Sequence, residues 1–308
     1  MVGWVEPLLS VALGAVAWAG SVEPVTGGLP ASGRWPHAVA VFAEGAATPG
    51  CSGVLIGPDA VLTAAHCMDV EREVVVGALD AAAGPRLGVA EAIPHPDAAF
   101  DIGLLRLSAP VETGPALGAE ACLLDASLVP GSTAVVAGYG ALDPWGEQET
   151  TVQHEAAVVV DDPSCVEVDE GCRVDAQPAG ELIAGRTAPQ DACYGDSGAP
   201  LYLATQAGDV LVGVASRGVA DATVPCGDGT IYVRVDAVVD WLADEGVDLA
   251  LRTCDPVELD PPEDGSGGCG HVGGRGGWWV VLAVLMSGRR ARRGGVPTSA
   301  SCRRGWLR

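Results

Sequence analysis

Three short motifs, in one order along the chain, constrain this sequence more than anything else in it. They are Thr63-Ala64-Ala65-His66-Cys67, then Asp101-Ile102-Gly103-Leu104-Leu105, then Gly195-Asp196-Ser197-Gly198-Ala199-Pro200. Each has an ordinary reading when taken alone. Gly-Asp-Ser-Gly is a common turn, a histidine beside a cysteine is often structural, and an aspartate before an apolar run often belongs to a turn. Together they supply a nucleophile, a base and a group to orient the base. A serine hydroxyl attacks poorly at neutral pH unless a base takes its proton, and the base needs a third group to set its tautomer. Ser197 is therefore the expected nucleophile, His66 the general base and then acid, and Asp101 the orienting carboxylate. Gly195 is expected to present a backbone N–H to a developing oxyanion, together with the N–H of Ser197. No Cys-x-x-Cys or His-Glu-x-x-His spacing occurs, so no metal site is read here, and no cofactor is expected.

The rest of the chain must build a scaffold that brings these motifs together. Short alternating or apolar runs, separated by turn residues, predict an all-β chain. In the first half these are His37–Ala43, Ser52–Ile56, Ala60–Ala65, Arg72–Ala78 and Ile102–Leu107. In the second half they are Ser132–Gly138, Thr151–Val160, Glu181–Ala184, Pro200–Ala204, Val210–Ser216 and Thr230–Val235. Helical spacing appears near Ala237–Leu251, where Val239, Leu242 and Val247 share one side.

The three motifs and their His–Asp–Ser order resemble those of the trypsin/chymotrypsin serine peptidases, over about residues 25 to 250. That resemblance implies two six-stranded antiparallel β-barrels with a C-terminal helix and the triad between them. It implies polypeptide substrates, protein inhibitors as possible partners, and acyl transfer through an acyl-enzyme. By the same resemblance Asp191 matches the acid at the base of the primary pocket, where it selects Arg or Lys. Ser216-Arg217-Gly218 matches the pocket-wall strand, with Arg217 where Trp is usual. In Gly229-Thr230-Ile231-Tyr232, Thr230 falls at a wall position that is usually glycine and would narrow the pocket. A shift of one residue would put Gly229 there instead. Cleavage after small apolar residues is therefore the alternative specificity. Val25-Thr26-Gly27-Gly28 resembles the start of mature family members, whose freed amino group pairs with the acid before the serine, here Asp196. Pro24 precedes Val25 where a basic residue is usual. The irregular activation site and pocket wall keep a catalytically silent binding module on the same scaffold as a further alternative.

Ten cysteines are too many for an ordinary reduced cytosolic enzyme. The resemblance pairs Cys51 with Cys67, bracing the histidine loop, and Cys193 with Cys226, clamping the pocket. Cys165 and Cys172 could close a small loop of their own, because the family's usual partner position is Ile183 here. Cys122 and Cys254 are left as a pair, and Cys269 and Cys302 lie outside the domain. An apolar segment Pro7–Gly20 with Ala17-Trp18-Ala19 reads as a signal peptide, although no positive charge precedes it. Secretion is the expectation.

The charge is uneven. The formal net charge is −23, every one of the 17 basic residues is arginine, and eight of these lie within 271–308 without a single acid. The remainder carries nine arginines against 40 acids, which argues against nucleic acid as a partner and reads as solubility in an extracellular medium. Pro261–Gly270 is a Pro/Gly/Asp/Ser linker ending in Gly267-Gly268-Cys269. The apolar run Trp278–Met286 follows, too short to cross about 30 Å of hydrocarbon as a helix, and then Arg289-Arg290 and Arg292-Arg293. This order resembles a myxobacterial C-terminal surface-sorting signal, and implies retention at the cell surface, with outer-membrane anchoring a possibility. The expected organisation is a signal and pro-segment at 1–24, a peptidase domain at 25–252, a linker at 253–270 and a sorting segment at 271–308.

Overall fold

The computed structural model describes residues 28–173, 180–187 and 190–254. The first barrel is formed by β1 (Ala38–Ala43), β2 (Cys51–Gly57), β3 (Ala60–Thr63), β4 (Glu71–Val76), β5 (Leu87–Pro94) and β6 (Gly103–Leu107). They close in the order β1-β2-β3-β6-β5-β4, with β4 pairing back to β1. The second barrel is β7 (Thr133–Gly138), β8 (His154–Asp162), β9 (Glu181–Ala184), β10 (Pro200–Thr205), β11 (Gly208–Gly218) and β12 (Thr230–Arg234). It repeats the same pattern as β7-β8-β9-β12-β11-β10, and β10 pairs back to β7 to close it. All twelve strands pair antiparallel, so the expected fold of two six-stranded barrels is the fold observed.

The period of two explains how one strand serves two cores. In β1, Val39 and Val41 pack inside the first barrel, while Ala40 and Phe42 pack with Val75 and Tyr139 on the other side. In β8, His154, Ala156, Val158 and Val160 are buried at alternate positions. A third cluster joins the barrels. Val54, Ile56, Leu62, Ile102 and Leu104 from the first meet Tyr202, Leu211, Val214 and Val233 from the second. Trp35 stacks on Tyr202 within it, with ring centroids 4.3 Å apart. Asp101 immediately precedes Ile102, so burying Ile102 at this seam carries the aspartate to it.

Two expectations change. Strand β5 was absent from the sequence reading, because its burial does not alternate and a bulge between Val89 and Glu91 breaks the register. The C-terminal helix is shorter than Ala237–Leu251. A 3₁₀ turn, Asp236–Val238, leads into α2 (Val239–Asp244), while α1 (Ala121–Ser127) lies between the barrels in sequence. Gly246, at φ +76°, ends α2, with Gly246 N–H on the Ala243 carbonyl and Val247 N–H on the Leu242 carbonyl. Beyond it Leu251–Arg252 pairs in parallel with Gly118–Ala119. Among the described residues four disulfides join Cys51–Cys67, Cys122–Cys254, Cys165–Cys172 and Cys193–Cys226. Cys269, Cys302, the signal segment and the sorting segment lie outside the described residues. Among the described residues no helix is long and apolar enough to cross a membrane.

Candidate active site

At the end of β3 the chain makes a 3₁₀ turn, Ala65–Cys67, anchored by the buried Cys67 in its disulfide. That turn lifts His66 into solvent, with half its side chain exposed. Asp101 takes two hydrogen bonds from the same residue: the His66 backbone N–H donates to Oδ1 at 3.0 Å, and the ring Nδ1 meets Oδ2 at 2.9 Å. The Ser216 hydroxyl donates to Oδ2 at 2.7 Å. Burial works against ionising Asp101, but these hydrogen bonds outweigh it and hold the carboxyl down at about 2. The hydrogen bond to Asp101 raises the His66 pKa; burial and the charge of Arg173 oppose that rise. Asp101 is thus a fixed anion, and with Nδ1 engaged the ring is left with Nε2 for chemistry.

Ser197 sits in the tight turn between Cys193 and β10. The turn is held from the first barrel by Ser52, which is fully buried. The Ser52 N–H donates to the Ser197 carbonyl at 2.8 Å and its hydroxyl to the Gly195 carbonyl at 2.9 Å, while Tyr139 N–H donates back to that hydroxyl. Gly198, at φ +87°, must be glycine: a Cβ would stand 2.1 Å from the Ser52 carbonyl oxygen. Gly195 also has positive φ, at +93°. The carbonyl of Tyr194 is taken by Ala141 N–H at 2.7 Å, so the planar peptide turns the Gly195 N–H the opposite way. Among the described residues neither the Gly195 nor the Ser197 N–H donates to a protein acceptor.

Asp196 is wholly buried, and its oxygens accept from Gly140 N–H at 2.9 Å and Cys193 N–H at 3.0 Å. Burial pushes its pKa up to about 6, against those two bonds. Gly138 and Gly140 leave the room it needs, since a Cβ on either would lie within 2.1 and 2.3 Å of its carboxylate oxygens. Sequence reasoning missed both glycines, although Gly138-Tyr139-Gly140 at a strand end was a usable signal. Val25, the expected partner of Asp196, lies outside the described residues.

His66, Asp101 and Ser197 line one cleft of about 440 Å³ with Ala192, Tyr194, Ser216, Arg217, Gly218 and Thr230. Asp191 stands behind this lining and is 1% exposed. Its Oδ1 accepts from the Thr230 hydroxyl at 2.8 Å and the Ala192 N–H at 2.8 Å; its Oδ2 accepts from Gly229 at 3.0 Å and Gly227 at 3.3 Å. Burial drives its pKa up to about 7 despite these bonds. Thr230 lines the cleft, and Gly229 does not. Arg217 does not project a free charge into the pocket. Its guanidinium forms a two-pronged pair with the buried Glu181, at 2.7 and 3.0 Å, and donates to the Gly171 carbonyl. Sequence reading had flagged Arg217 as an unusual wall residue but had not found Glu181, 36 positions away.

A hydroxyl and an imidazole held by an anion in one cleft, with the unengaged N–H of Ser197 and that of Gly195 two residues before it, form a set suited to attack on a carbonyl. Known proteins are similar. The sequence profile of the Trypsin family matches residues 25–242. "Serine proteinase stubble" of Drosophila melanogaster is 31% identical over 244 residues, covering 71% of this chain. The chain spans 30% of stubble's own length. "Trypsin" of Saccharopolyspora erythraea is 31% identical over 206 residues, covering 63% of this chain and 86% of that protein. Among solved structures, neuropsin, a serine protease expressed in mouse brain, superimposes with a TM-score of 0.57 at 26% identity, covering 71% of this chain and 98% of its own.

Proposed function

Because this chain belongs to the trypsin family of serine peptidases, we propose that it is a secreted or surface-held serine endopeptidase working through an acyl-enzyme. One observation carries the reading: the hydrogen-bonded line Ser216–Asp101–His66 opens into the cleft that Ser197 lines, beside two undonated N–H groups. In that reading His66 Nε2 takes the Ser197 proton as Oγ attacks the peptide carbonyl. The oxyanion meets the N–H groups of Gly195 and Ser197. Collapse expels the amine, which leaves with the proton from His66, and an ester to Ser197 remains. Water, deprotonated by His66, then attacks the ester, and the acid departs as Ser197 regains its proton.

Substrates are polypeptides, with Asp191 biasing the pocket toward Arg or Lys. A second reading, preference for short uncharged side chains, is favoured by one observation. Thr230 lines the cleft and binds Asp191, whose oxygens are filled by four internal donors. Activation by pairing of a freed Val25 amine with Asp196 remains part of the proposal, supported by a buried carboxylate with no cation on it among the described residues. Secretion is supported by the four disulfides. Surface anchoring rests on the order of Cys269, the apolar run and the arginine cluster in the tail.

Labelling of the purified protein with a fluorophosphonate, beside a Ser197→Ala control, tests the reading. Labelling that requires Ser197 is the expected result. Its absence from the protein with a freed Val25 would leave a binding module on this scaffold.

A further inference from the structure

Glu181 is the buried hub of the cleft wall. Its carboxylate takes both Arg217 guanidinium nitrogens and, at 2.7 Å, the backbone N–H of Arg173. That last bond fixes the backbone at Arg173, one residue after the Cys165–Cys172 loop closes. The Arg173 side chain lines the same cleft as His66 and Ser197. Its Nη1 donates to the carbonyls of Ala98 and Ala99, at 3.1 and 3.3 Å, in the loop that leads to Asp101. Among the described residues no carboxylate is bonded to this guanidinium, and its Nη2 and Nε have no acceptor. Glu181 cannot neutralise it, because its charge is engaged by Arg217. Behind the cleft Glu181 thus balances Arg217, and Arg173 reaches the cleft with no carboxylate bonded to it among the described residues, on a body that is otherwise strongly acidic.

The neighbouring strand explains what would meet that charge. Strand β11 pairs with β10 only as far as Val214, and Ala215 is the last residue bonded to the Ser197 turn. From Ser216 to Gly218 its edge facing the cleft is unpaired among the described residues. An extended peptide can add itself to such an edge through main-chain hydrogen bonds, leaving side-chain pockets to set selectivity. Ser197, that open edge and Arg173 all line the one cleft.

We propose that Arg173 is a specificity-determining residue that selects substrates carrying Asp or Glu in the stretch preceding the pocket residue. The proposal rests on the hydrolase reading for its substrate but not for its binding chemistry. A planar guanidinium held by backbone carbonyls on one nitrogen offers its remaining donors to a carboxylate as a pair.

The test uses peptide pairs differing only by Glu against Gln in that stretch, assayed on the mature protein and on Arg173→Gln and Arg173→Glu. Binding of the same pairs is measured on a Ser197→Ala background by fluorescence polarisation. The wild type should favour the Glu peptide about fivefold, the upper range for a part-exposed ion pair. Arg173→Gln should erase the preference and Arg173→Glu reverse it, the preference being read within each protein as its ratio of Glu to Gln peptide. Equal handling of Glu and Gln by the wild type, or a preference that survives Arg173→Gln, overturns the inference. Because binding is read without turnover, failure of hydrolysis alone would count against the peptidase reading and not against this one.

Discussion

The hydroxyl of Thr230 donates a 2.8 Å hydrogen bond to Asp191, and it is Thr230, not the acid, that faces the cleft. The pocket therefore has a carboxyl behind it and a β-branched wall in front. A Thr230→Gly substitution removes both the wall and one of four donors to Asp191. The ratio of kcat/KM for Arg over Ala peptides should rise by about tenfold or more, the scale on which a pocket discriminates by small changes in size. An unchanged ratio would remove Thr230 as the gate to Asp191.

Asp191 also links the pocket to stability. In the folded chain it keeps its proton up to about pH 7, against an ordinary value of 3.8. Between those values the folded state binds more protons than the unfolded state. The stability this group contributes is complete below 3.8 and lost as the pH rises through about 7. In thermal melts, the advantage of wild type over Asp191→Ser should therefore shrink from pH 4 to pH 7. A constant difference would mean that Asp191 is ionised throughout. Asp196 titrates in the same direction, at about 6, and is present in both proteins.

The line from Ser216 through Asp101 to His66 sets the acid limb of activity. His66 must be neutral to accept a proton, and its hydrogen bond to Asp101 raises its pKa above 6.5. The acid limb of kcat/KM should thus lie above pH 6.5, with activity lost as the pH falls through it. Arg173 opposes the rise, so Arg173→Gln should move the limb to higher pH. Asp101→Asn, which keeps the shape but favours the wrong tautomer, should cost about 10⁴ in kcat. Near-normal turnover in that variant would refute the role given to Asp101.

Glu181 and Arg217 form a pair in which the acid is 1% and the arginine 26% exposed. Removing one partner strands the other. Arg217→Ala should destabilise the chain by about 3 kcal/mol, while the Glu181→Leu/Arg217→Leu double variant should recover much of that loss. Chemical denaturation of the three proteins checks this. An additive double variant would mean that the two charges do not act as a unit.

His66, Asp101 and Ser197, which line one cleft, could be picked out because each stands in a local frame of a few consecutive residues. The second barrel was legible strand by strand, because β8 alternates buried and exposed positions along its length. Strand β5 was not, because it is half-exposed and bulged, and only its pairing with β6 makes it a strand. The end of α2 was misjudged for a similar reason. The apolar residues continue to Leu251, but Gly246 adopts a left-handed conformation and the chain turns into a different pairing.

The amino-acid sequence by itself determined the chemistry on offer, the all-β pattern and the residues that could act. Only the tertiary structure decided the company those residues keep. Ser52 braces the Ser197 turn, Glu181 absorbs the charge of Arg217, Thr230 screens Asp191, and Arg173 comes to the cleft with donors to spare. These partners are 36 to 143 positions apart where the distance in sequence matters most. Hydrogen bonds and ion pairs act over a few ångströms, so no pattern of neighbours along the chain can announce them before the barrels close.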